Sequence, residues 1–550
     1  MLLCASLGFG QEFWQKVAPR DHKIQMKNDG EKGVFYKQLL VPQSLSKSNP
    51  SSFSEALVMK FPNERGEEES FQLHSISVLS PELQKKYPQL RTFVGKSMQR
   101  PELRVRVSIT PQGTNFWLQL PHQEDFFLQP STKQKGLHYA YTQKSSDANS
   151  FQCKTSSNAF SVKNGVGATQ KTAVSSAMRT FRIALAATAE YTNFWGDDDD
   201  SNGTNQEDAF AALVSSINRV NEIFGRDVNV QLEIVSDLDL FYEDADTDPF
   251  TGGNYAKQLQ QILDEKIGDE GYDVGHLVDY GEADGDAGCI GCVCVDGLKG
   301  SGYTTHPFVD EFGGEYKNDY FDLDYLGHEL GHQFGAYHTY SFESEATGFN
   351  VEPGSGTTIM SYAGLVGEDN VQLHGDAYFH YQSIQNIASV LDGVNCGTSV
   401  TFESSTPNVD AGQDYKIPKG TAYMLQATTS VENADALNYT WEQLDAGIIT
   451  SSNFGASNTR GALARSLPPT ENTWRSIPNI DQVLAGELTQ TNPDITSTWE
   501  TVSEIGRSLK WGVTLRQRVG DEYQIAQDAT QLVVVANAGP DQCVFFGSTT

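Results

Sequence analysis

The hydrophobic pattern changes period along the chain, and the changes divide it into three textures. Between residues 180 and 279 strand and helix periods alternate. Phe181 to Ala186 is a nearly unbroken apolar run and reads as a strand. Phe210, Leu213, Ile217, Val220 and Phe224 then recur at helical spacing within 207–224. After Gly225 the run Val228 to Ile234 alternates strictly, as a half-buried strand does. A second helix is expected at about 254–267 and a strand near 273–279. This order predicts an α/β layout with helices covering a sheet. Residues 11–176 hold shorter apolar runs such as Ser75 to Leu79 and Leu103 to Val107. The second run has period two and predicts a half-buried strand, so this part is expected to be mostly β. Segment 142–178 is rich in Ser, Asn, Thr, Gly and Lys and reads as an exposed linker with Arg179 just after it. Beyond residue 400 helical periodicity stops, and short Thr- and Val-rich strands between turn residues predict an all-β sandwich.

Length and charge narrow the picture. At 550 residues the chain exceeds what one hydrophobic core organises. A formal net charge of −32 argues against nucleic acid or anionic membrane as a partner. The apolar residues Leu2 to Phe9 read as the tail of a secretory leader, 1–10, with cleavage near Gly10. No later stretch reaches the roughly 18 apolar residues of a membrane-spanning helix, so membrane insertion is not expected. Of the seven cysteines, Cys289, Cys292, Cys294 and Cys396 are an even set that suits two disulfides in an exported domain. Cys289-x-x-Cys292 also matches half of a zinc knuckle, although no second such pair exists. Cys4 would leave with the leader, and Cys153 and Cys543 are left over.

The chemistry concentrates in one segment, His328-Glu329-Leu330-Gly331-His332-Gln333-Phe334-Gly335-Ala336-Tyr337-His338. Two histidines four apart on a helix share a face, so both imidazoles can reach one ion. Glu329 is turned about 100° from His328 and can reach a water at that ion. Leu326, Leu330 and Phe334 form the buried stripe of the helix. Gly335 allows a sharp turn that returns His338 as a third ligand. Three protein ligands leave one zinc position open, as in catalytic sites. Met360 follows downstream within Gly354 to Gly364.

This combination resembles the metzincin signature of zinc proteases, a three-His motif followed by a Met turn. The wording around it, His338-Thr339-Tyr340 and Gly354 to Gly364, is similar to bacterial secreted, reprolysin-like metalloproteases. The resemblance covers about 179–398. It implies zinc held by His328, His332 and His338, with Glu329 as catalytic base and then acid. Met360 would pack beneath the metal. Tyr362 resembles the Tyr of astacins and serralysins that helps stabilise the transition state, with plain packing as the alternative. Thr339 departs from the Asp usual in venom-type enzymes. Glu190 and Asp273 are candidates for structural calcium, and Asp198 to Gly203 and Asp244 to Asp248 have partial calcium-loop spacing. Cys153, ahead of the expected activation site, is a candidate thiolate blocker of the open zinc position.

The expectation is therefore a multidomain, secreted, extracellular zymogen. It comprises a mostly β prodomain and linker at 11–178 and an α/β (α+β) metzincin catalytic domain with a mixed sheet and active-site helix at 179–398. An immunoglobulin-like β-sandwich follows at 402–534, where Trp441 resembles the buried strand Trp of such domains. The recurrence of Ala411-Gly412-Gln413-Asp414 as Ala538-Gly539-Pro540-Asp541 suggests a second, truncated β module at 535–550. Its substrates would be proteins or peptides. The β modules are candidates for contact with a cell surface or polymer. The rival reading is an extracellular adhesive protein with a non-catalytic metal domain.

Overall fold

The computed structural model describes residues 13–17, 34–39, 56–121, 123–142, 151–155, 172–174, 176–309, 314–403, 406–431, 434–535 and 544–545. The leader and most of the linker and of 535–550 lie outside these residues.

The central region is built on a mixed sheet. Strand β1 (Ala177–Ala187) pairs in parallel with β2 (Val230–Ile234) on one side and β3 (Val274–Asp279) on the other. Outside β3 lie β4 (Asp284–Asp286) and β5 (Gly302–Thr305), in the order β4-β5-β3-β1-β2. A short β4 runs antiparallel to β5. Between β1 and β2 come α1 (Ala189–Trp195) and α2 (Asn205–Val228). Helix α2 starts at a capping box between Thr204 and Glu207 and ends on Asn229 at φ 54°. It therefore runs four residues past the predicted stripe, and β2 begins only at Val230. Helix α3 (Tyr255–Lys266) covers β3 and β5. Helices α4 (Gly327–Gln333) and α5 (Tyr381–Leu391) follow, and β6 (Thr398–Thr401) closes antiparallel on β1.

Before this region lies a nine-stranded antiparallel sheet, with strands between Trp14 and Thr142. Its alternation divides two cores. Tyr36, Phe116, Leu118, Leu128 and Ala140 face a core of its own with Phe61 and Phe71. Phe35, Trp117, Phe127, Tyr139 and Tyr141 face the large central core. The strand expected to be half-buried, here Arg104–Thr110, is buried along its whole length. Arg104 and Arg106 point not at solvent but at Glu222 of α2, which accepts from both. Arginine in a period-two pattern looks like a wet face, and here a buried carboxylate changes its meaning.

After the central region, strands Ala436–Gln443, Arg507–Val519 and Glu522–Val535 form an antiparallel sheet. Its other elements pack around Trp441, Trp511 and Ile477. Strand Tyr415–Pro418 and, from before the central region, Thr172–Val174 cover one edge of Glu522–Val535. The short pair Val544–Phe545 adds to Tyr423–Met424 within this region. The excursion 444–506 reaches back to the central region. Ile449 donates to Ser341 O at 2.9 Å and accepts from Gly354 N at 2.9 Å. Trp499 and Phe454 bury against Val371 beside it. Among the described residues, no helix is long and apolar enough to cross a membrane.

Candidate metal centre

Helix α4 continues directly from a π-helical stretch, Tyr320–Leu326. Its stripe of Leu326, Leu330 and Phe334 is fully buried in the central core, which fixes the helix axis. His328 and His332 then stand one turn apart, ring centroids 4.8 Å. Gly335 takes φ 115°, a conformation that favours glycine, and the chain doubles back so that His338 meets both. The Nε2 atom of His338 lies 3.2 Å from that of His328 and 3.0 Å from that of His332.

The other nitrogen of each ring is anchored. Nδ1 of His328 meets the carbonyl of Ile359 at 2.7 Å, that of His332 the carbonyl of Ala336 at 2.7 Å, and that of His338 a Glu345 carboxylate oxygen at 2.8 Å. With protons on the three Nδ1 atoms, three Nε2 lone pairs face one another. They cannot satisfy each other. Burial, and next the neighbouring imidazoles, lowers His328 to about 3 and His332 well below the usual range, so both rings are neutral. Neutral imidazoles converging their lone pairs are a donor set for a cation, and the residues fit zinc.

Beneath the rings lies Met360, fully buried. Gly331 allows it there: a β-carbon on Gly331 would come within 2.6 Å of the Met360 sulfur. The surrounding loop hangs on buried Glu352, which accepts from Thr339 and Thr358 hydroxyls at 2.6 Å each. Thr339 N also donates to Met360 O at 3.0 Å. Thr339 therefore ties the third histidine to the Met turn.

The segment Phe151 to Thr155 lies across this centre. Gln152 and Cys153 pair in parallel with Asp284 and Gly285 of β4. The Cys153 sulfur joins the three histidines as a fourth potential ligand, all four atoms lying within 4.8 Å of one another. Thr155 donates to a Glu329 carboxylate oxygen at 2.9 Å and accepts from Ala287 N at 2.8 Å. Burial, with Asp286 and Asp284 nearby, pushes Glu329 up to about 8 against the hydrogen bonds from Cys153 and Thr155. Burial and Glu329 likewise push the Cys153 thiol up. The Tyr362 hydroxyl donates to the Cys153 carbonyl at 3.3 Å, and its ring edges His338.

Thr155 and Glu345 had no signature in the sequence, because nothing in a lone Thr or a loop Glu marks its partner. The remaining candidates have these partners. His276 bridges Gln333 and Thr304, His306 accepts from Phe308 N, and His380 caps α5. Asp273 is engaged by Arg182 at 2.8 Å, and Asp199 and Asp244 accept from local turn donors. Asp248 accepts Ala189 N beside Glu190. The cysteines pair as Cys289–Cys292 and Cys294–Cys396. Arg179, just after the linker, is half-buried. It lies inside β1, and its guanidinium donates to the carbonyls of Leu391, Val394 and Cys396.

A helix-borne histidine pair, a third histidine beyond a glycine turn and a methionine floor define a zinc peptidase centre of the metzincin kind. Residues 177–391 match the model of the metallo-peptidase family M12B, reprolysin-like, and this stretch is a reprolysin-like metallopeptidase domain. No curated protein matches the chain. That domain supports a zinc metalloendopeptidase activity on proteins or peptides.

Proposed function

We propose that the chain is a secreted zymogen in which His328, His332 and His338 hold zinc and Glu329 is the general base. The three converging Nε2 atoms beside a buried Glu329 carboxylate carry this reading. When bound, zinc supplies Lewis-acid polarisation of the attacking water and of the peptide carbonyl. Glu345 and the carbonyls of Ile359 and Ala336 keep the imidazoles oriented. Glu329 holds the water's proton at its carboxylate and returns it to the leaving amine nitrogen. Tyr362 lies close enough to the rings to donate toward the developing oxyanion once its bond to Cys153 is broken.

Residues 11–178 act as the prodomain, with Cys153 and Thr155 holding the site shut. A thiolate at the open position competes directly with water, and Thr155 occupies the carboxylate that must accept the proton. The β-rich region after residue 402 remains as a permanent part of the enzyme. Extracellular release fits the two disulfides, which persist in oxidising compartments.

The test is zinc content together with chelator-sensitive casein cleavage, in the chain and in Glu329→Ala. One zinc per chain is expected, with cleavage abolished by the substitution. Cleavage that persists in Glu329→Ala would falsify the mechanism.

A further inference from the structure

Beside His328 the protein keeps a pocket whose chemistry differs from a plain apolar slot. It is lined by Tyr320, Tyr325, Ile359, Leu365, Asp324 and Gly375, and with Phe151 in place it encloses only about 20 Å³, room for one water. The absence of a side chain at Gly375 makes room there, since a β-carbon would sit 2.8 Å from Asp324 Oδ1. That oxygen is buried and has no hydrogen-bond partner. The other carboxylate oxygen pairs with His374 Nδ1 at 3.1 Å, and His374 Nε2 pairs with Asp319 at 2.9 Å. Burial would lower His374, but Asp324 and Asp319 outweigh it and raise it to about 9. The cluster is thus one cation between two carboxylates, and Tyr141 satisfies Asp319 from the far side at 2.6 Å. The nearby Arg219 is matched by Asp322 at 2.7 Å. Burial raises the Asp324 carboxyl to about 7 against the His374 charge, so the unfilled acceptor belongs to a group that a second cation would hold ionised.

The mouth is closed by Phe151, which stacks on Tyr325 at a centroid distance of 4.2 Å and edges His328. Phe151 stands two residues from Cys153, on the strand that pairs with β4. A polypeptide that replaced this strand would place one of its own side chains where Phe151 lies.

We propose that the pocket takes a lysine or arginine side chain of the polypeptide substrate, that Asp324 selects it, and that Phe151 fills the pocket's mouth until the prodomain leaves. This rests on the reading of the metal centre above and names the substrate class. The methylenes of the basic side chain lie along Tyr320 and Tyr325, and the cation meets Asp324 Oδ1. An apolar side chain of equal length would fill the walls but leave that carboxylate desolvated and unpaired. The net charge of −32 acts in the same sense at long range, drawing basic segments toward the enzyme.

The experiment uses the full chain with Phe151→Ala and Cys153→Ala, which clears the pocket's mouth and the open metal position, and peptides varied at the two positions flanking the cut among Lys, Arg, norleucine, Phe and Glu. At one position Lys or Arg should exceed norleucine by about tenfold in kcat/KM. The same ratio, taken within each variant so that a general loss of activity cancels, should collapse toward one in Asp324→Asn and survive in Asp324→Glu. Norleucine or Phe matching the basic residues at both positions in the parent overturns the proposal, whether or not Asp324→Asn folds. So does a basic preference that survives in Asp324→Asn. Failure of the metal centre itself would look different: no chelator-sensitive cleavage of any peptide.

Discussion

Two β-rich regions pack on the same metallopeptidase domain, and they brace different parts of it. The N-terminal region docks through a broad aromatic core that includes Phe35, Trp117, Phe127, Tyr139 and Tyr141, through backbone pairing of Leu79 with Ile234, and through polar side chains. Arg104 and Arg106 meet Glu222, Tyr141 meets Asp319, and Ser131 and Thr132 meet Glu315. The C-terminal region joins through a smaller apolar cluster and through backbone bonds from the excursion 444–506 to the loops around the metal centre. Ile449 exchanges hydrogen bonds with Ser341 and Gly354, Gly447 donates to Asn350, and Trp499 is fully buried over the loop that carries Met360. Glu442 accepts the first amide of α5, and Arg516 bonds Asp227 at the end of α2. Both contacts combine buried rings with backbone pairing, so neither opens by exchanging polar partners for water alone. They differ in what they hold: the N-terminal one brings Phe151, Cys153 and Thr155 to the metal centre, and the C-terminal one braces the loop of Met360 from behind.

The sharpest test of this contrast removes the chemistry between the two regions. Glu329→Gln should lower kcat/KM on casein by about 10³-fold or more while leaving zinc content intact. A small effect would mean that the two regions flank something other than the reacting centre. Next in size is Trp499→Ala, expected to cost about 3–5 kcal/mol in denaturant unfolding and to lower the unfolding midpoint of the metallopeptidase domain with it. Independent melting of that domain, unmoved by the substitution, would make the C-terminal region a mere appendage. Cys153→Ala should raise the activity of the uncut chain by about 10- to 100-fold, since it removes one ligand while Thr155 still holds Glu329. Unchanged latency would shift the blocking role to Phe151 and Thr155.

The smallest expected effect concerns acid. Burial alone would raise the Glu222 carboxyl, but Arg104 and Arg106 outweigh it and hold it well below the ordinary range. The stability it contributes is therefore present above the ordinary glutamate value, about 4.3, and is lost as pH falls below it, by at most about 1.4 kcal/mol per pH unit. Hydrogen exchange of strand Arg104–Thr110, corrected for intrinsic rates, should accelerate on that descent in the parent. In Glu222→Gln the pH dependence should vanish. An identical acid response in both would place the sensitive group elsewhere.

What the sequence made legible follows the range of the interactions. The three histidines, Glu329 and Gly335 lie within eleven residues, so one helical turn and one glycine turn bring them together. The parallel strands around β1 announced themselves by local period. Thr155 and Glu329 are 174 residues apart, and Ser341 and Ile449 are 108 apart, and no local pattern encodes such meetings. The alternation at Arg104 and Arg106 gave the strand correctly but the wrong surroundings, because period two does not say whether the polar face meets water or a buried carboxylate. The π-helical turns ahead of α4, which present Asp319 and Asp324 to His374, had no signal either.

The strand Thr172–Val174 has a consequence for how the protein could be shortened. It covers part of an edge of Glu522–Val535, more than 340 residues later in the chain. A polypeptide started at Arg179, where composition invites the cut, would strip that cover and the first residues of β1 together. It would leave a raw row of amide and carbonyl groups on the far domain, a template for pairing with other chains. The linker thus carries a seam, and a cut that frees the metal centre yet spares the far domain from aggregation would fall after Thr155 and before Thr172.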